Sequence, residues 1–132
     1  MTIVYQQESS FKLDEMLALY RASGINRPLD DSARMAIMLA SSNLLISARL
    51  DGKLVGLARC LTDKAYVVYI CDLLVDKACQ QQGIGKALLA AVQQATGPQV
   101  QQLLRSAPSA MQYYPAVGFT AIDNGFHIQR QY

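Results

Sequence analysis

Short apolar runs bounded by turn residues alternate with stretches of helical spacing, and each change of period marks a new element. Ile3 to Tyr5 reads as a short first strand. Phe11, Leu13, Met16, Leu17 and Tyr20 recur on one helical face, with Ser9 or Ser10 as the cap and Gly24 past the end. Residues 24–29 break that pattern, and Asp30, Asp31 or Ser32 starts a second helix carrying Met35, Ile37, Met38 and Leu39. Leu44 to Leu50 and Leu54 to Leu61 flank Asp51-Gly52, a pair that accepts the positive φ angles of a tight hairpin turn. Thr62-Asp63-Lys64 makes another turn, and Tyr66 to Val75 is a long β-rich run.

Beyond Val75 the period changes again. Ile84, Leu88, Leu89 and Val92 mark a helix that Gly97-Pro98 stops. Val100 to Leu104 reads as a strand and Ala110 to Tyr114 as a short helix. Phe119 to Ile122 and Phe126 to Ile128 are expected to be two closing strands around Asn124-Gly125. The predicted order is β-α-α-β-β-β-α-β-α-β-β. The strand-helix-strand unit over 66–104 calls for a parallel pair, so the fold class is α/β in the α+β sense, a central mixed sheet flanked by helices.

Composition narrows the function classes. The chain has 132 residues, 52% hydrophobic and 17% charged, which suits one packed domain over 1–132. A net charge of +2 with no Lys/Arg run argues against nucleic acid as a partner. The three cysteines, Cys60, Cys71 and Cys79, form no C-x-x-C pair and point to a reducing, cytoplasmic compartment. The lone His127 leaves little for a metal site or a histidine-based triad, so no metal is expected. No apolar window approaches the roughly 20 residues of a membrane span, and the N-terminus lacks a signal-peptide pattern, so no membrane partner is expected.

The informative segment follows the long strand. Gln80-Gln81-Gln82-Gly83-Ile84-Gly85-Lys86 leads into a helix whose first turn holds two glycines. First-turn amides have no internal partner, and with the helix dipole they suit a phosphate or pyrophosphate. Two familiar glycine loops are excluded. A dinucleotide fingerprint needs a third glycine, and a Walker loop needs Ser or Thr where Ala87 stands.

Gln80-x-x-Gly83-x-Gly85 resembles the acetyl-CoA pyrophosphate loop of the GNAT superfamily of N-acetyltransferases. Tyr113-Tyr114-Pro115-Ala116-Val117-Gly118-Phe119 is similar to the family's aromatic-Tyr-x-x-x-Gly-Phe segment, and the element order agrees. The resemblance implies acetyl-CoA as cosubstrate and direct transfer of an acetyl group to an amine, with a small molecule as acceptor and a homodimer as a common assembly. By the same resemblance, Leu73, Leu74 and Val75 match the strand end whose backbone pairs with pantetheine. Gln81, Gln82, Gly83, Ile84, Gly85 and Lys86 match the pyrophosphate turn, and Tyr114 matches the tyrosine that protonates the departing thiolate. A phenol suits this step because the thiolate is of comparable basicity.

The acceptor side leaves alternatives open. Strict alternation puts Tyr69, Cys71 and Leu73 on one face of the strand, and Ile70, Asp72 and Leu74 on the other. Tyr69-Ile70-Cys71-Asp72 looks like a strand that reads Tyr-x-Glu-Asp in polyamine and aminoglycoside acetyltransferases, with Cys71 at the Glu position. Asp72 is either the group that attracts the ammonium and takes its proton through water, or a strand-end carboxylate capping a loop. Cys71 is either a pocket-lining residue or a nucleophile, and Tyr69 either bonds substrate or packs. Arg27, Asp30 and Asp31 are candidate substrate contacts in the loop between the first helices. Arg49 and Arg59 are candidates for an acidic substrate or are solvated strand arginines. A non-catalytic acyl-CoA-binding module and a protein N-terminal or lysine acetyltransferase remain the rival functions.

Overall fold

The computed structural model describes residues 2–132. The chain runs β1 (Ile3–Gln7), α1 (Leu13–Ser23), α2 (Ser32–Ser41), β2 (Leu44–Leu50), β3 (Lys53–Thr62), β4 (Val67–Val75), α3 (Ile84–Thr96), β5 (Gln101–Leu104) and α4 (Tyr113–Ala116). The strands form one sheet in the order β1-β2-β3-β4-β5. The first three junctions are antiparallel and β4 pairs with β5 in parallel, as the intervening helix requires.

Local chemistry sets most boundaries. Asp51 and Gly52 both take positive φ, 51° and 83°, and close the β2–β3 hairpin on two residues. Gly24 ends α1 in the left-handed conformation, and its amide returns to the carbonyls of Tyr20 and Arg21. The Asp31 side chain accepts from the Arg34 amide and caps α2. The serine cap expected for α1 is not used: Lys12 stands there without a side-chain bond.

Each face of the sheet buries its own cluster. Met16, Leu19 and Tyr20 of α1 and Met35 of α2 pack on Leu45, Leu54, Leu57 and Leu74. On the other face Ile84, Leu88, Leu89 and Val92 of α3 cover Ile46, Val55, Ala58, Cys60, Val68 and Ile70. Gly56 lets α3 settle close, because a Cβ there would lie 2.9 Å from Ile84 and 3.2 Å from Leu88.

The two closing strands are not formed. Phe119 to Tyr132 pairs with no strand, and Phe126 and Ile128 are 97% and 98% exposed. The chain leaves α4 through Gly118 (φ 106°), and its last carbonyl, on Tyr132, accepts from Arg34 Nη2 of α2 at 3.2 Å. Alternating apolar residues and an Asn-Gly pair make a segment willing to be a strand, but a ladder also needs a partner edge within reach. The unfilled space is a cavity of about 810 Å³ between α3, β5 and the start of this segment.

Candidate active site

The site grows from β4. Pairing with β3 slips there: Arg59 faces Asp72, Cys60 faces Ile70, and Cys71 has no partner. This bulge reverses the alternation. Ile70 faces α3, whereas Leu74 faces α1, and Asp72 meets Tyr20 of α1. The strict alternation that put Ile70, Asp72 and Leu74 on one face is therefore corrected. One extra residue shifts the parity of everything after it.

β4 also outruns its neighbour. Parallel pairing with β5 ends at Ile70 opposite Leu104, so Cys71 to Val75 have no strand partner on that edge. The strand end is held by its own turn, since Gln80 Nε2 donates to the Val75 carbonyl at 3.2 Å. Gln81 (φ 64°) and Gly83 (φ 80°) are both left-handed, and Gly83 caps α3 with no side-chain acceptor over the first-turn amides. Successive amides curled in this way form an anion-binding concavity at a positive helix end. A non-glycine residue held left-handed at Gln81 is also the kind of local strain that gathers at ligand sites. Ile84, 2% exposed, anchors the turn in the core, while Gln80, Gln81, Gln82, Gly83 and Lys86 stay accessible. These residues fit an acyl-CoA: free strand-edge groups and free helix amides lie along one continuous segment.

The two tyrosines of α4 diverge. Tyr114 is half-buried, edge-on to Phe119 at 5.7 Å and to Tyr113 at 5.3 Å, and it lines the cavity with Lys86 and Leu104. Burial, with Tyr113 beside it, pushes the Tyr114 phenol up, so it is a protonated donor at neutral pH. Tyr113 instead turns its hydroxyl onto Gly85. Leu73, Gly83 and Gly85 do not line the large cavity, which lies between α3, β5 and the segment after α4 and has a mixed polar and apolar lining.

Asp72 is committed inside the protein. Its side chain is fully buried. Arg59 Nε and the Tyr20 hydroxyl donate to Oδ2 at 2.6 and 2.5 Å, and Arg27 Nε donates to Oδ1 at 2.7 Å. Arg27 Nη2 also donates to the Cys71 carbonyl at 3.2 Å, tying the α1–α2 connection to the bulge. Burial and the adjacent Asp72 push the Tyr20 phenol up. Two guanidiniums face one carboxylate, so the negative charge of Asp72 is already neutralised. Arg49 is equally occupied, by Glu8 and Glu15 at 2.9 Å each. Neither strand arginine is solvated or free. Tyr69 is exposed, and Cys71 is partly buried with its thiol pKa pushed up by burial, so it is not held as a thiolate. Asp30 is exposed and Asp31 is spent on the cap. His127 lies in the unpaired C-terminal segment. Among the described residues no group of three or more His, Cys, Asp or Glu is placed to hold a metal, and no helix is long and apolar enough to cross a membrane.

The family profile described as an acetyltransferase (GNAT) domain matches residues 18–129. This chain belongs to the GNAT acetyltransferase family. It is an acyltransferase. Solved structures of similar shape share the fold. One is a GNAT-family acetyltransferase from Streptococcus pneumoniae TIGR4, with 26% identity, TM-score 0.72, and coverage of 98% of this chain and 100% of that one. Another is an aminoglycoside acetyltransferase from an uncultured soil metagenomic sample, solved with sisomicin, with 22% identity, TM-score 0.70, and coverage of 98% and 96%. A third is an aminoglycoside N-acetyltransferase, AAC(6')-Iy, solved with CoA, with 20% identity, TM-score 0.72, and coverage of 98% and 95%. No curated protein matches the chain.

Three participants escaped the sequence reading. Tyr20 read only as a helix-face apolar residue, and Arg59 as a contact for an acidic substrate or a solvated strand arginine, not as a partner of Asp72. Tyr113 read only as the aromatic before Tyr114. Their partners are distant in sequence, and no local pattern encodes such pairings.

Proposed function

We propose that residues 1–132 act as one acetyltransferase domain that moves an acetyl group from acetyl-CoA directly to an amine of a small molecule. The observation that carries this reading is the free edge of β4, Cys71 to Val75, running into the left-handed turn at the start of α3. Backbone groups of Leu73, Leu74 and Val75 would take up pantetheine, and amides from Gln81 to Lys86 the pyrophosphate, with Gln80 fixing the turn to the strand. The GNAT relatives solved with CoA and with sisomicin support both halves of the reading.

In the reaction the amine nitrogen bonds to the thioester carbonyl carbon, the carbon–sulfur bond breaks, and the thiolate takes a proton from Tyr114. The amine must lose a proton to react. Asp72, saturated by Arg27, Arg59 and Tyr20, serves in this scheme as an anchor and leaves that proton to water, from which the Tyr114 phenolate is reprotonated. Cys71, a thiol with a raised pKa, takes no acyl group in this scheme, and no acyl-enzyme is needed because a positioned amine attacks a thioester directly. The test is release of free CoA from acetyl-CoA across a panel of small amines. Turnover with at least one is expected. Binding of acetyl-CoA without turnover on any amine, peptide or protein N-terminus would favour the non-catalytic module instead.

A further inference from the structure

Gly85, on the first turn of α3, carries no side chain, and Tyr113 occupies the space. A Cβ built on Gly85 would lie 2.6 Å from the Tyr113 hydroxyl, 3.5 Å from its Cζ and 3.8 Å from Leu73 Cδ2. The phenol therefore lies against the first turn of α3, with the Leu73 side chain of β4 beside the same position. Its ring is fixed by the edge-on contact with Tyr114, yet 38% of the residue remains exposed. Among the described residues the Tyr113 hydroxyl has no hydrogen-bond partner, whereas the Tyr20 hydroxyl donates to Asp72. A hydroxyl held against unpartnered helix amides extends their row of donors.

We propose that Tyr113 is a coenzyme-binding residue, its hydroxyl donating a hydrogen bond to the pyrophosphate of the coenzyme held at the first turn of α3. The inference rests on the acetyl-CoA reading above. It divides the two tyrosines: Tyr114 serves the sulfur and Tyr113 the phosphates. It also gives Gly85 a definite role, since the missing side chain admits the phenol. Burial raises the Tyr113 pKa, so the group remains a donor at neutral pH.

The test is calorimetric titration with acetyl-CoA and, by competition, with acetyl-pantetheine, which lacks the pyrophosphate. Tyr113→Phe keeps the ring and removes the donor. It is expected to weaken acetyl-CoA about tenfold, the usual loss for a hydrogen bond to a charged group, and to leave acetyl-pantetheine unchanged. A second arm uses Gly85→Ala, which should weaken acetyl-CoA in the wild-type background and add little in Tyr113→Phe, where the clash is gone. Equal acetyl-CoA affinity in wild type and Tyr113→Phe would overturn the assignment. So would an equal loss with acetyl-pantetheine. Absence of acetyl-CoA binding by the wild-type protein would instead remove the acetyltransferase reading on which the assignment rests.

Discussion

Arg27 Nη2 lies 2.5 Å from Asp72 Oδ1, joining the α1–α2 connection to the central strand one residue past its bulge. Asp72 has no exposed side-chain surface, while 31% of the Arg27 side chain remains open. The pair thus fastens a loop from inside, with Arg59 and Tyr20 completing the shell around the carboxylate.

Removing that charge should cost stability before chemistry. Asp72→Asn leaves two guanidiniums facing a neutral amide and is expected to lower unfolding free energy by about 3–5 kcal/mol. Arg27→Ala should cost less, since Arg59 and Tyr20 still satisfy the carboxylate. Urea denaturation measures both. A fully stable Asp72→Asn variant that had lost turnover would make Asp72 the proton acceptor after all.

Tyr114→Phe keeps the packing against Tyr113 and Phe119 and removes one proton donor. Turnover should fall about ten- to a thousandfold while acetyl-CoA affinity stays near wild type. Steady-state kinetics with a competent amine, paired with calorimetry, checks this. Unchanged kcat would take Tyr114 out of the reaction.

Gly83 and Gly85 should respond to substitution differently. Nothing lies within 4 Å of a Cβ built on Gly83, so its constraint is the left-handed backbone alone. Gly83→Asn, which tolerates that conformation, should retain acetyl-CoA binding. Gly83→Val, opposed by at least about 1–2 kcal/mol of backbone strain, should distort the turn and lose it. Equal affinity in the two variants would show that the left-handed turn is not what binds the coenzyme.

Acid should loosen the β1–α1 corner through Glu8. The hydrogen bond from Arg49 holds its carboxyl down to about 2 against an ordinary 4.5, with Ser47 and Gln6 helping and burial opposing. A depressed native pKa means the unfolded chain binds more protons in that window. The stabilisation is complete above 4.5 and is lost as pH falls towards 2. Thermal melts of wild type and Glu8→Gln should therefore converge as pH drops through that range. Parallel curves would exclude Glu8 as the titrating group.

The hairpin at Asp51-Gly52, the start of α2 within Asp30 to Ser32, the Gly24 stop and the glycine turn at the head of α3 were all legible in the sequence. Each depends on what neighbouring residues permit: φ at a turn, a side-chain acceptor at a helix start, or spacing along one face. The pair Gln80-x-x-Gly83-x-Gly85 and Tyr114-x-x-x-Gly118-Phe119 was equally visible, because both motifs are short runs.

What the sequence alone determined is thus the series of elements through α4 and the glycine turn at the start of α3. Tertiary structure decided the rest. The bulge at Cys71 moved Asp72 to the α1 face, where its partners Tyr20, Arg27 and Arg59 stand 52, 45 and 13 residues away. The tertiary fold turned Tyr113 onto Gly85 and Tyr114 towards Phe119. It also left Phe126 and Ile128 without a strand partner, although their alternation predicted one. Propensity is a property of adjacent residues, whereas ladders, ion pairs and packed rings join distant segments, and their geometry exists only once the chain has closed on itself.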